Sequence, residues 1–334
     1  MNEPKVPPPW QLFNGDVNSA PLTNMPPAPP WRQPRAAIEE AKLFDTAREV
    51  VSAATEQRGI AYQASPEIVQ MVNAALHLRR PLLVTGAPGT GKSSLIDAIA
   101  VKLDLGEPLR WPVNSRSTLR EGLYNYDAIA RVQQRNGGQV LQEGDFIELG
   151  PLGTALVPAI RPRPLLIDEM DKADVDLAND LLNVLEEGQF HIRELSRLAT
   201  PEHNVRMFGS TDTYKVKSGK VVRYEFPLLI ITSNGERGFP PAFLRRCLQL
   251  KMPDPSNDVH RLAKIVRAHL GDDIAERATS IIQEFSAKAG TGEMVATDQL
   301  LNALQLVFAG HSMNDSDRHT MVARLLTSLN GTSL

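Results

Sequence analysis

The sequence is short of cysteine, of aromatic side chains and of net charge. Its 334 residues contain a single cysteine, Cys247. That excludes an intramolecular disulfide framework and any cysteine-cluster metal site, and leaves Cys247 to be a small core residue. Aromatics make up 5% of the chain and the formal net charge is −3. Neither a base-stacking platform nor a strongly basic field therefore points to nucleic acid or to an anionic membrane surface. No run approaches the roughly eighteen apolar residues of a membrane span. The N-terminus opens on a proline-rich polar stretch where a secretory leader would be basic and then apolar. A soluble, cytoplasmic chain with no membrane partner is expected. The seven histidines show no metal spacing, and no Ser-His-Asp or Cys-His signature is present, so they are assigned surface or core roles.

What the chain does have is 42% hydrophobic residues, enough for a sizeable core in one large domain and a smaller one. Ten of the 25 prolines fall within residues 1–35, which are too proline-broken for a helix. This segment is either a flexible tail or an extended arm. As an arm, it would anchor Trp10, Phe13 and Trp31 on its own domain or on a neighbouring subunit. A helical stretch is expected at about 36–56. Ser65-Pro66 then reads as an N-cap with proline at the first helical position, opening a helix to about Leu78. Short apolar runs follow at Leu82–Thr85, Leu109–Val113, Leu165–Ile167, Leu228–Thr232 and Cys247–Met252. Helical patterns between them predict βα units and a buried parallel sheet. From about Pro255 the pattern becomes helical only, at roughly 257–270, 273–289, 297–309 and 317–329. An α/β domain over 36–254 and an all-α domain over 255–334 are the expectation.

The chemistry sits at two strand ends. Leu82–Thr85 runs into Gly86-Ala87-Pro88-Gly89-Thr90-Gly91-Lys92-Ser93-Ser94, a strand, a G-x-x-x-x-G-K-S loop and a helix start. In such a loop the glycines let backbone N–H groups turn inward around an anion, and the helix N-terminus adds partial positive charge. Lys92 can reach the β- and γ-phosphates of ATP and the Ser93 hydroxyl can ligate Mg²⁺. About 75 residues on, Pro164-Leu165-Leu166-Ile167 ends in Asp168-Glu169. At the carboxyl end of a parallel strand Asp168 would hold Mg²⁺, and Glu169 would orient or deprotonate the attacking water. A third apolar strand, Leu228–Thr232, ends in Ser233-Asn234, whose amide could reach the γ-phosphate or that water.

This motif order, completed by Pro240-Pro241-Ala242-Phe243-Leu244-Arg245-Arg246, resembles that of AAA+ ATPases. Leu166-Ile167-Asp168-Glu169-Met170-Asp171-Lys172-Ala173-Asp174 and Leu181-Leu182-Asn183-Val184-Leu185-Glu186-Glu187-Gly188 are similar to the MoxR branch. The resemblance spans about 60–310. It implies a parallel sheet flanked by helices and an α-helical lid, in a ring-forming, usually hexameric ATPase that remodels a separate client or effector protein. It also implies an arginine finger supplied across the subunit interface; by position Arg246 matches best, with Arg245 as the adjacent alternative. Two further segments fit its helix-2-insert group. Residues 115–160 read as an inserted helix with short strands. Residues 190–226 read as a hairpin around Ser218-Gly219, basic through Lys215, Lys217, Lys220 and Arg223.

One departure stands out. The family's lid usually carries a basic residue near the start of its third helix, whereas Gly292–Asp298 supplies none and Lys288 is the nearest upstream. MoxR-like ATPases are often encoded beside partners such as von Willebrand factor A-type proteins and effectors of multi-gene bacterial systems, some antiviral. No appended effector domain is recognisable, so the output is expected in a separate partner. Two alternatives remain at this level: a nucleic-acid motor subunit of the restriction type, or a slow nucleotide-gated switch.

Overall fold

A computed structural model describes residues 8, 10–15, 21–23, 25–33, 50–134, 142–290, 296–308, 320–322 and 324–326. The first helix, α1 (Ala53–Ala61), starts where Ser52 accepts a hydrogen bond from the Thr55 amide. The expected helix at 36–56 lies mostly outside the described residues. In its described part, Val50 and Val51 are not helical. The start at Ala53 is fixed from a distance: Glu107 accepts from the Ser52 amide (2.7 Å) and the Thr55 hydroxyl (2.7 Å). The next helix, α2 (Pro66–Leu78), matches its sequence signals, with Ser65 capping the Ile68 amide and Ile68, Val69, Val72 and Leu76 buried.

The elements that follow are β1 (Leu82–Thr85), α3 (Ser94–Leu103) and β2 (Leu109–Pro112). Next come α4 (Leu119–Leu123), β3 (Tyr124–Tyr126), α5 (Ala128–Gln134), β4 (Ile147–Leu149), α6 (Pro151–Ala155) and β5 (Pro164–Asp168). Then come α7 (Val175–Glu187), β6 (Gln189–His191), β7 (Glu202–Arg206), β8 (Thr213–Lys217), β9 (Lys220–Val222) and β10 (Leu228–Ser233). The α8 helix (Pro241–Arg246) and β11 (Leu248–Lys251) close this part. The five apolar runs anticipated as buried strands form one sheet, ordered β11-β1-β10-β5-β2. Every neighbouring pair in it is parallel. Runs such as Leu228–Ser233 are buried at every residue, as a sheet covered on both faces requires.

The remaining strands make a second sheet, ordered β3-β4-β7-β8-β9-β6. The two insertions expected as separate elements are thus parts of one structure, joined where β4 pairs with β7. The Ser218-Gly219 turn lies between β8 and β9 with φ of +49° and +66°, the geometry a two-residue hairpin favours. Its partner strand β7 went unpredicted because only His203 and Val205 face inward, alternating with exposed polar residues. The basic hairpin face is also smaller than expected. Lys215 and Lys217 both approach Glu202 at 3.4 Å, and Arg223 is 4% exposed, its guanidinium 5.2 Å from the Phe226 ring centre.

The last described helices are α9 (Val259–Leu270), α10 (Asp272–Arg277), α11 (Thr279–Gly290) and α12 (Thr297–Phe308). Asp258 caps α9 through the Arg261 amide, so the helix begins two residues later than its pattern. The single helix expected at 273–289 is two, broken at buried Ala278 (φ −86°, ψ 2°). Of the helix expected at 317–329, residues 320–322 and 324–325 are described and helical. These helices bury their own apolar cluster, with Leu262, Val266, Phe285, Leu300 and Leu304 at its centre. Among the described residues no helix is long and apolar enough to cross a membrane.

The described part of the N-terminal segment docks on its own chain. Phe13 is fully buried and Leu22 nearly so, in the core beneath α2, β1 and α3. Asn73 on α2 holds the segment at both ends of its carboxamide. Its Oδ1 accepts from the Leu12 and Phe13 amides (2.6 and 3.0 Å) and its Nδ2 donates to the Phe13 carbonyl (2.6 Å). Of the three anchors expected, Phe13 alone is inserted; Trp10 is 49% and Trp31 76% exposed. The flat amphipathic tryptophans stay at the surface, while the smaller Phe13 fills the slot beside Asn73.

Candidate functional site at the carboxyl edge of the parallel sheet

Strand register sets the site. Thr85 at the end of β1 lies beside Ser233 at the end of β10, and Ile231 beside Ile167. The P-loop, Asp168 and Asn234 therefore leave the sheet at one edge. This is the carboxyl edge, where open α/β sheets bind ligands. Gly89 and Gly91 adopt φ of +75° and +84°, a region open to glycine that lets successive amides turn to one side. Lys92 lies back over this loop, its Nζ donating to the Gly86 and Ala87 carbonyls at 2.8 Å each. Burial pushes the Lys92 ammonium below the usual lysine range, while the charges of Asp168, Asp171 and Glu169 act the other way. Lys92 is thus a cation with incomplete solvation, whose two carbonyl contacts a phosphate could replace.

Ser93 stands at the N-cap of α3 but makes no capping bond. Its hydroxyl donates instead to Asp168 Oδ1 at 2.8 Å, forgoing about 1 kcal/mol of helix stabilisation. Asp168 Oδ1 also accepts from the Thr232 hydroxyl at 2.5 Å, and Thr232 Oγ1 in turn accepts from the Glu169 amide at 2.9 Å. Thr232 thereby fixes both acidic residues through one side chain. Glu169 itself sits at φ +59°, ψ 45°, a strained conformation for a residue with a Cβ. The strain aims its carboxylate off the strand, where Oε2 pairs with Lys172 Nζ at 2.7 Å. Hydrogen bonding to Glu169 raises the Lys172 pKa in turn. One residue earlier, buried Asp171 accepts from the Asn234 and Glu236 amides at 3.0 Å each, tying the turn after β10 to the turn after β5.

The arginine pair does not join these residues. The α8 helix leads into β11, whose first residue Leu248 lies beside Leu82, at the start of β1. Arg245 and Arg246 therefore stand at the opposite edge of the sheet. Arg246 Nε pairs with Glu186 at the end of α7, and Arg245 is exposed. Arg80 holds the end of α8 by donating to the carbonyls of Arg245, Arg246 (3.1 Å) and Cys247 (3.4 Å). Cys247 beneath it is buried, and burial pushes its thiol up to about 12.

The sequence-predicted residues Gly86–Ser94, Asp168, Glu169 and Asn234 are thus brought to one edge. Thr232, Asp171 and Lys172 were missed. In the sequence Thr232 is marked only as the last residue of an apolar strand. Its role follows from facing Asp168 across the sheet, 64 positions away in sequence.

Residues 81–247, half of the chain, match the AAA domain family, dynein-related subfamily. Solved structures that resemble the chain include NtrX from Brucella abortus in complex with ADP (TM-score 0.38, 14% identity, covering 82% of this chain and 58% of that one). The same protein in complex with ATP gives a TM-score of 0.36 at 14% identity, covering 79% and 53%. PCH-2 from C. elegans gives 0.42 at 14% identity, covering 82% and 72%. The chain therefore spans little more than half the length of the NtrX chain. The comparison with curated proteins finds no match. With its parallel sheet, its P-loop and its C-terminal helices, the chain belongs to the AAA domain family of dynein-related type.

Proposed function

We propose that the site hydrolyses ATP with Mg²⁺ and that it is completed by an arginine from a second copy of the chain in a ring. The observation that carries the reading is the hydrogen-bonded set Ser93–Asp168–Thr232 beside the Lys92 loop. Gly86–Gly91 would cradle the phosphates, with Lys92 on the β- and γ-oxygens. Ser93 and Asp168 offer a hydroxyl and a carboxylate 2.8 Å apart. No cluster of three or more His, Cys, Asp or Glu surrounds them among the described residues. That donor set fits Mg²⁺, which takes hard oxygens and keeps most of its ligands as phosphate and water. When bound, the ion would neutralise charge on the phosphates. Glu169 would take a proton from the attacking water, and Asn234 would orient the water or the γ-phosphate.

The position of Arg245 and Arg246, away from their own P-loop, supports a role on a neighbour's nucleotide, where a guanidinium stabilises developing negative charge. Arg246 is the preferred finger and Arg245 the alternative. In this reading the chain is a MoxR-like remodeller whose turnover drives a client or effector protein between states, in a multi-gene bacterial system such as antiviral defence. The pairing of Lys215 and Lys217 with Glu202 weakens the case for a nucleic-acid surface on the second sheet.

The test is a pair of variants. Lys92→Ala should lose ATP binding, measured by titration of a fluorescent nucleotide. Glu169→Gln should bind ATP normally and turn it over at least about a hundredfold more slowly. Retained affinity in the first, or normal turnover in the second, would contradict the assignment.

A further inference from the structure

A cavity of about 240 Å³ opens between the P-loop, the end of α1 and the C-terminal helices. Gly89, Thr90 and Gly91 line one side, and Tyr62 and Arg261 line others. The C-terminal helices press on the loop here: a Cβ on Gly89 would lie 2.8 Å from Ala296 Cβ and 3.0 Å from Asp298 Oδ1. Where the lid of the resembling family usually carries a cation, the first turn of α12 presents the Asp298 carboxylate, which repels phosphate rather than binding it.

Positive charge enters the cavity from two other elements, through Arg58 and Arg261. Arg58 is already committed, its Nε 2.6 Å from Asp97. Among the described residues Arg261 on α9 donates only a long 3.5 Å contact to the Pro253 carbonyl, which leaves most of its planar fork of donors without a partner there. Tyr62 is the second unspent group. Its hydroxyl is buried without a hydrogen-bond partner among the described residues, an arrangement that costs about 1–3 kcal/mol. The Tyr62 ring reaches the loop, since a Cβ on Gly91 would lie 3.2 Å from its Cε2. Burial pushes the Tyr62 phenol up, and the nearby charge of Arg261 opposes that shift, so the two groups share one corner of the cavity.

We propose that Arg261 and Tyr62 are nucleotide contacts of this ATPase: Arg261 binds phosphate oxygens from α9, and the Tyr62 hydroxyl donates to the same ligand. The C-terminal helices then grip ATP through α9 and not through α12. A guanidinium fork matches phosphate geometry better than an ammonium does, and a charge-assisted bond of this kind is among the stronger ones. The inference rests on the reading that the P-loop binds ATP.

The experiment is displacement of a fluorescent ADP from the full chain by ATP and by adenosine, for wild type and for Arg261→Gln, Arg261→Lys, Tyr62→Phe and Lys92→Ala. Arg261→Gln should weaken ATP at least about tenfold and leave adenosine unchanged. Arg261→Lys should recover part of the loss, which a purely structural defect would not allow. Tyr62→Phe should weaken ATP several-fold. ATP affinity within twofold of wild type in Arg261→Gln, with Lys92→Ala unable to bind, would overturn this inference alone. Equal losses for ATP and adenosine would overturn the phosphate contact. Normal binding by Lys92→Ala would instead overturn the P-loop reading beneath it.

Discussion

At the residue scale, the site separates what consecutive sequence can announce from what only folding brings together. Lys92, Ser93, Asp168 and Glu169 were legible because each lies in a short string whose neighbours dictate its place: a strand before it, a glycine loop or a carboxylate after it. Thr232 was not legible, because nothing in Ile-Ile-Thr-Ser distinguishes an inward hydroxyl from an ordinary β-branched strand residue. Its meaning comes from Asp168 Oδ1 at 2.5 Å and the Glu169 amide at 2.9 Å. Asp171, Tyr62 and Arg261 escaped notice for the same reason. Thr232→Val keeps the shape and removes the hydroxyl, leaving the Glu169 amide without its acceptor at a cost of about 1–3 kcal/mol. Steady-state kinetics should show kcat falling roughly tenfold or more, with ATP affinity little changed, since Thr232 holds the acidic pair and not the phosphate loop. An unchanged kcat would remove Thr232 from the positioning of Glu169.

At the scale of elements, sequence periodicity served best where one element buries a whole face. The α2 helix and the five parallel strands fall close to their expected bounds because Ser65-Pro66 and unbroken apolar runs mark them. The second sheet was only half legible. Its strands are three to five residues long, most carry polar residues on one face, and β4 and β7, which join the two insertions, lie far apart in the chain. The break at Ala278 was hidden because the apolar periodicity runs through it. The N-terminal segment could not be decided from composition, since proline excludes a helix without saying what the segment touches. Its docking turns on Phe13, at 0% exposure, and on Asn73. Phe13→Ala should therefore destabilise the protein by about 3–5 kcal/mol, read as a lower midpoint in urea. Wild-type stability in that variant would mean that the segment is not held on the core in solution.

At the scale of the whole molecule, the two halves of the proposed chemistry stand at opposite edges of one sheet. The phosphate loop, Asp168 and Glu169 occupy the carboxyl edge, and Arg246 the other, paired with Glu186. One copy cannot bring them together without dismantling the strands between, whereas the proposed ring would let a neighbouring copy present its arginine edge to the first copy's phosphate loop. Arg246→Ala should then leave ATP affinity close to wild type, lower turnover, and depress the activity of wild-type chains when mixed with them. The Glu186 pair adds a condition: Arg246 must leave Glu186, or carry it along, to reach a phosphate. The measurement that tests this account most directly is ATP turnover per chain as protein concentration is raised, with particle mass followed in parallel for Glu169→Gln and ATP. The account predicts specific activity that climbs with concentration while the mass rises to that of a ring. Flat turnover per chain from a particle that stays monomeric would contradict it.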